Sequence, residues 1–296
     1  MTDKRVRRAT VEATVSTRPS PLASRAVPIR RIGDGLIDAE DSVAVEEPLE
    51  ICLAWPSGNN DSQCRLRNIA VTMRTPGNDA ELAVGFLFTE GILETWSQVA
   101  EVIVDADSGN RVTVSLQSEP QLDDLQLARN FYMTSSCGVC GKASIEAIRT
   151  RSRYSSGNDA FSIRADRLLE LPARLEAQQA VFRGTGSIHA AALFSPDALE
   201  PGVYEDVGRH NAVDKVIGAA LMKNQLPLQN RGLLVSGRAS FELVQKAHMA
   251  GCAMLAAVGA PSSLAIDLAW DADMTLIGFL RDGRFNIYAG PSRVSD

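Results

Sequence analysis

Aromatic residues make up only 5% of the 296 residues, and Trp55, Trp96 and Trp270 stand far apart, which leaves no stacking platform for bases. Histidine is scarcer still: His189, His210 and His248 show no metal-ligand spacing among themselves. The cysteines number five, an odd count, and only Cys137 and Cys140 lie close together. That argues against a disulfide framework and for a cytoplasmic protein with reduced thiols. No stretch approaches the roughly 18–20 apolar residues of a membrane helix, so no membrane association is expected. The basic residues near the start are followed by no apolar segment, which excludes a secretory signal. Arg7 and Arg8 lead into Ala9, Thr10, Val11 and Glu12, too polar for twin-arginine export, and Asp3 and Glu12 weaken an organellar presequence. Neither a P-loop nor a dinucleotide fingerprint occurs, so ATP and NAD are unsupported.

What is present is the composition of a globular protein with a sizeable core, 45% hydrophobic and 22% charged. The formal charge of −6 argues against holding duplex nucleic acid through the bulk surface. Charge is nevertheless uneven. Residues 1–31 carry eight basic side chains (Lys4, Arg5, Arg7, Arg8, Arg18, Arg25, Arg30 and Arg31) against two acidic ones. A basic start with Pro19, Pro21 and Pro28 and no apolar periodicity reads as a disordered arm over residues 1–34.

Two patterns follow the arm. Apolar runs at 49–55 and 64–73, separated by Pro56-Ser57-Gly58-Asn59-Asn60-Asp61, predict strands around a turn. Asn78 with Glu81 three residues on resembles a capping box opening a helix toward Gly91, and strands are expected near 101–105 and 111–116. Residues 35–134 therefore read as a small α+β domain. From 135 to 296 the reading is an α/β domain. Strands at 188–194, 203–207, 232–236, 263–266 and 274–280 alternate with helices starting near His210 and Ser240, the second running on through Leu255.

At the junction lies Thr134-Ser135-Ser136-Cys137-Gly138-Val139-Cys140-Gly141-Lys142. Two thiols three residues apart at a helix start, beside Lys142, favour a thiolate, and small neighbours leave the sulfurs open. Half a zinc site, a dithiol oxidoreductase, a persulfide-bearing sulfur carrier and two incidental thiols all remain open on spacing alone.

Two strand-to-helix junctions share a second chemistry. Gly208-Arg209-His210-Asn211 and Gly237-Arg238-Ala239-Ser240 each place a glycine, an arginine and free N–H groups at a helix start. That arrangement binds phosphate, and its occurrence twice points to a large phosphorylated ligand. Arg183-Gly184-Thr185-Gly186-Ser187 could line the same cleft. His248, mid-helix, reads as a packed residue, and His189 as either core or cleft. Cys52, Cys64 and Cys252 read as small core hydrophobes.

Ser136 to Gly141, Gly186 to Ala191, Glu205-Asp206-Val207-Gly208-Arg209-His210-Asn211-Ala212-Val213-Asp214-Lys215 and Ser236 to Ser240 together resemble the FdhD/NarQ family of formate dehydrogenase accessory sulfurtransferases. Pro76 to Gly91, Gly278 to Arg281 and Asn286 to Tyr288 are similar to further stretches of that family. The resemblance spans roughly residues 35–290 and excludes the arm. It implies a sulfurtransferase that accepts sulfur from a cysteine desulfurase as a persulfide. The sulfur then passes to the molybdenum cofactor, in its bis(molybdopterin guanine dinucleotide) form, before insertion into formate dehydrogenase. It implies a cytidine-deaminase-like fold for residues 135–296, without that fold's zinc; the chain lacks a His-x-Glu followed by Pro-Cys-x-x-Cys, so no metal is expected.

By the same resemblance Cys137 matches the persulfide-bearing cysteine and Cys140 its partner. Leu276, Ile277, Gly278, Phe279, Leu280 and Arg281 match the cofactor-binding stretch. The junction chemistry adds Arg209, His210 and Arg238 as contacts to the cofactor's phosphates. A homodimer is the default assembly. The alternative is a non-catalytic chaperone that binds molybdenum cofactor and hands it over.

Overall fold

The structure, a computed structural model, describes residues 14–16, 23–33, 35–57, 64–105, 109–120, 152–154 and 161–296. Its first elements are β1 (Thr14–Ser16), β2 (Ser24–Ile32), β3 (Leu36–Ala44), β4 (Glu47–Pro56), β5 (Cys64–Arg74), α1 (Asp79–Thr89), β6 (Val99–Val104) and β7 (Arg111–Leu116). Ser24–Ile32 lies in the stretch expected to be an arm, yet it pairs with β3 from Ser24↔Ala44 to Ile32↔Leu36. Val27 and Ile29 are half-buried between the exposed Ala26, Pro28 and Arg30, and Pro28 is tolerated because a two-stranded hairpin has only edge strands. Thr14–Ser16, also within the expected arm, pairs parallel with β6, and residues 1–13, 17–22 and 34 lie outside the described residues.

Strand order in the first sheet is β1-β6-β7-β4-β5. The apolar run read at 49–55 is a strand buried on both faces from Ile51 to Trp55, with Cys52 and Ala54 buried as well as Leu53, and Val112 and Val114 of the neighbouring strand are buried beside it. Helix α1 lies on that face through Leu82, Phe86 and Leu87. Its N-cap departs from the expectation. Asn78 adopts a left-handed conformation (φ 56°), and its amide donates to the Glu81 carboxylate (3.3 Å) instead of bonding the helix backbone.

The second part contains β8 (Ile163–Arg164), α2 (Ala165–Gln178), α3 (Ala180–Thr185), β9 (His189–Phe194), β10 (Tyr204–Asp206), α4 (Arg209–Met222), β11 (Gly232–Val235), α5 (Phe241–Met249), β12 (Met254–Ala257), α6 (Ser263–Asp271), β13 (Thr275–Arg281), β14 (Arg284–Ala289) and β15 (Val294–Ser295). The six-stranded sheet runs β10-β9-β11-β12-β13-β14, with β11, β12 and β13 parallel. Both faces are buried. Ala191, Leu193, Leu233, Val235, Leu255 and Leu276 join α4, α5 and the first sheet, while Ala192, Phe194, Leu234, Ala256 and Ile277 pack on Leu168, Leu171 and Leu175 of α2. Burial on both faces is why these strands read as continuous apolar runs. The protein is α/β.

Two expected elements are placed differently. The helix from Ser240 stops at Met249, because Gly251 takes φ 75° and redirects the chain into β12. The strand expected at 263–266 is the first turn of α6; the Ser262 hydroxyl accepts from the Ala265 N–H (3.3 Å), and Ala265, Leu268 and Ala269 make its buried face. No helix among the described residues is long and apolar enough to cross a membrane.

Candidate functional site

Strand direction gathers the sequence-predicted residues at one edge. β9 runs antiparallel to β11, and β10 antiparallel to β9. The carboxyl ends of β10, β11 and β12 and the start of β9 therefore meet, and α4, α5 and α6 all begin there. Brought together are His189, Arg209, His210, Gly237, Arg238 and Gly259.

Contacts between these loops are close because three glycines stand where they cross. A Cβ on Gly237 would lie 3.3 Å from His189 Nδ1 and 3.9 Å from Arg209 Cδ, so the ring and the arginine stem share the space above it. A Cβ on Gly259 would lie 2.9 Å from the Gly237 carbonyl oxygen and 3.0 Å from Arg238 Cγ. On Gly278 it would lie 2.7 Å from Pro261 Cδ. Backbone bonds tie the same loops: Gly259 N–H to Gly237 O (2.9 Å), Ala239 N–H to Ala260 O (3.1 Å) and Phe279 N–H to Gly259 O (3.0 Å). Ser236 completes the seam, its hydroxyl accepting from Ala190 N–H and its own N–H donating to Ala190 O, both at 2.9 Å.

The electrostatics are cationic. Arg209 opens α4, and its Nε is buried without a hydrogen-bond partner among the described residues. His210 places Nε2 2.7 Å from the Glu242 carboxylate and 3.4 Å from the Ser240 hydroxyl. Burial, then the charges of Arg209 and His210, push the His189 pKa below its ordinary value, with Asp206 pulling the other way. Arg238 is exposed. Two helix N-termini add their N–H groups to this side. An orphaned buried guanidinium N–H beside two helix N-termini suits a phosphorylated ligand, although the Glu242 carboxylate already pairs with His210.

Residues 276–281 divide in two. Leu276, Ile277 and Leu280 are fully buried core residues. Gly278 is buried as well, whereas Phe279 is half-buried and Arg281 exposed, both past an irregularity in the β13–β14 pairing after Gly278. Phe279 takes φ 53°, a conformation unfavourable for an aromatic residue, and the Arg281 guanidinium sits 5.7 Å from its ring centre. Cys137 and Cys140 lie outside the described residues. Cys52 and Cys252 are buried as expected, but Cys64 opens β5 at the sheet margin and is exposed. His248 is half-buried on α5, and burial lowers its pKa. Among the described residues no group of three or more His, Cys, Asp or Glu side chains could hold a metal ion.

Sequence reasoning left His189 undecided and passed over the glycine at 259. The cue for both was available only in part: a lone histidine at a strand start and a glycine after an apolar run.

The profile of the FdhD/NarQ family matches residues 44–295. A sulfur carrier protein FdhD of Streptomyces coelicolor is 47% identical over 274 residues, covering 90% of this chain and 93% of its own length. That of Mycolicibacterium paratuberculosis is 49% identical over 261 residues, covering 86% and 92%. A solved structure from Desulfotalea psychrophila, described as a candidate formate dehydrogenase accessory protein, shares the fold with a TM-score of 0.69 at 22% identity, covering 93% of this chain and all of that one. The match spans the glycine crossings, both arginine-bearing helix starts and the Cys137–Cys140 pair alike, and the chain belongs to the FdhD/NarQ family.

Proposed function

We propose that the chain is a cytoplasmic sulfur carrier that supports formate dehydrogenase. It takes sulfur from a cysteine desulfurase as a persulfide on Cys137 and delivers it to the bis(molybdopterin guanine dinucleotide) molybdenum cofactor. The observation that carries this reading is identity of 47–49% to sulfur carrier proteins over nearly the full chain, with the Cys-x-x-Cys inside the matched region. The cationic edge supports the choice of a phosphorylated substrate.

In the loading step the Cys137 thiolate attacks the terminal sulfur of the desulfurase persulfide. The S–S bond breaks, the desulfurase cysteine leaves as thiolate, and Cys137 carries the sulfur. In the delivery step Cys140 attacks Cys137 Sγ. Sulfide leaves, and the two cysteines close a disulfide whose formation supplies the two electrons that reduce the transferred sulfur. A thiol reductant of the cytoplasm then restores the dithiol.

The chain's other residues bind and orient. Arg209, His210 and Arg238 hold phosphate groups of the substrate, with Gly237 and Gly259 letting the loops that carry them cross closely. Of residues 276–281, Phe279 and Arg281 face it and the buried Leu276, Ile277, Gly278 and Leu280 hold them in place. The working assembly is a homodimer.

The test is to incubate the protein with a cysteine desulfurase and cysteine and to look by mass spectrometry for one added sulfur on Cys137. An adduct is expected. Its absence, together with full support of formate dehydrogenase by Cys137→Ala, would leave the chaperone reading in its place.

A further inference from the structure

The loop that carries Arg209 and His210 is held from beneath, and half of what holds it belongs to the other sheet. Asp206 ends β10 and is fully buried. One carboxylate oxygen accepts from Gly208 N–H (2.8 Å) and Asn211 Nδ2 (2.9 Å). The other accepts from Thr75 N–H (3.2 Å) and pairs with Lys215 Nζ (2.8 Å).

Thr75 follows directly on β5. Its hydroxyl accepts from Val207 N–H (3.2 Å), and its carbonyl accepts from Lys215 Nζ (3.0 Å). Asn211 also donates to the Met73 carbonyl (2.8 Å) and accepts from the Thr72 hydroxyl (3.3 Å). The N–H groups of Val207 and Gly208, the two residues before Arg209, are thus both fixed, one by each half of the chain.

Stability alone gives little reason for this arrangement. Burial pushes the Asp206 pKa up, against the pull of Lys215 and the surrounding donors. Apolar side chains of similar volume often serve a core as well as a buried ion pair does. What an ion pair adds is direction: a carboxylate with four donors admits one geometry for the loop above it. The Arg209 stem packs beside Gly237 and its Nε is buried, so the backbone at 209 decides where the guanidinium stands.

We propose that Asp206, with Lys215 and Thr75, is a positioning residue that sets Arg209 for its anionic ligand, so that phosphate affinity depends on a contact from the far sheet. The proposal rests on the reading that Arg209 holds substrate phosphate.

The experiment is calorimetric titration of GDP into the full chain and into Asp206→Asn, Thr75→Val, Arg209→Ala and the two doubles with Arg209→Ala, with thermal midpoints measured alongside. Asp206→Asn and Arg209→Ala are each expected to weaken GDP binding about tenfold, and Thr75→Val about threefold. On the Arg209→Ala background the second substitution adds nothing beyond about twofold. Equal losses on both backgrounds would mean a structural role and would overturn the proposal. So would full affinity in a folded Asp206→Asn or Thr75→Val. Should Asp206→Asn fail to fold, Thr75→Val decides, since it keeps the branched shape and removes only the hydroxyl. Wild-type affinity in Arg209→Ala would instead overturn the ligand assignment on which the proposal stands. Weakening there without weakening in Thr75→Val overturns the positioning role alone.

Discussion

Gly85 of α1 and Gly218 of α4 face each other across the junction of the two sheets. A Cβ on Gly85 would lie 2.8 Å from the Gly218 nitrogen and closer still to the Asp214 carbonyl oxygen. A Cβ on Gly218 would lie 2.7 Å from the Gly85 nitrogen and closer still to the Glu81 carbonyl oxygen. The two backbones touch, and that approach lets one apolar cluster take in Leu53 and Val114 of the first sheet and Leu233 and Leu255 of the second. Gly85→Ala or Gly218→Ala must push the helices apart. Either is expected to destabilise the fold by about 3 kcal/mol or more, read from urea unfolding, although alanine is otherwise the better helix former.

The same junction carries a buried ion pair. Lys246 Nζ lies 2.9 Å from both Asp214 carboxylate oxygens and 2.8 Å from the Thr89 hydroxyl, which itself donates to Asp214 (2.8 Å). Although burial works against its charge, Asp214 and Glu90 raise the Lys246 pKa overall. Lys246→Met strands a buried carboxylate and is expected to cost about 3–5 kcal/mol by chemical denaturation. Lys246→Met with Asp214→Leu should recover much of that loss, since the penalty belongs to the unpaired charge. A raised lysine contributes stability that is full below the unfolded value of 10.5 and fades as pH climbs through the folded one. Wild type should therefore lose more stability than the double variant above that pH.

Local pattern carried much of this fold. Strand β4 is a short apolar run from Leu49 to Trp55, and α4 shows Val213, Val216, Ile217 and Ala220 at helical steps; both stand where the sequence puts them. Failures came where pattern is ambiguous. From Met249 to Ala257 every residue but Gly251 is apolar, so only the backbone turn at Gly251 divides helix from strand. In β2 the arginines and Pro28 obscured an alternation that the partner strand completes. That Arg209, His210 and Arg238 stand at or just before helix starts was legible because glycine-bearing strand-to-helix junctions are local. The bond from Thr75 to Asp206 spans 131 residues, and the positive φ of Phe279 arises from pairing beyond its own strand; neither leaves a mark in neighbouring residues.

His189 links the site to pH. Its pKa is depressed, first by burial and then by Arg209 and His210. A group depressed on folding contributes stability present above its unfolded pKa and lost as pH falls through the folded one. Stability is thus expected to decline as pH falls below 6.5, with His248, depressed by burial, acting in the same direction. An anionic ligand reverses the field at His189 and favours the protonated ring. GDP affinity should therefore rise as pH falls over that window, and His189→Gln should flatten the rise. Calorimetry at about pH 7.5 and about pH 5.5 checks both signs.

Cys140 is where the delivery chemistry can be isolated. Attack on the Cys137 persulfide from three residues away is intramolecular, whereas a free thiol must arrive from solution. Cys140→Ala should therefore load sulfur on Cys137 normally but release sulfide at least about tenfold more slowly in single turnover. Cys137→Ala should not load at all. Mass spectrometry separates the states: after sulfide release the wild-type chain carries a Cys137–Cys140 disulfide, two hydrogens lighter than the dithiol, while Cys140→Ala retains the added sulfur. Wild-type release from Cys140→Ala would confine Cys140 to tuning its neighbour and hand the transfer to an acceptor thiol. Because both cysteines would still be needed for full activity in either case, only the release rate and the disulfide distinguish the two roles.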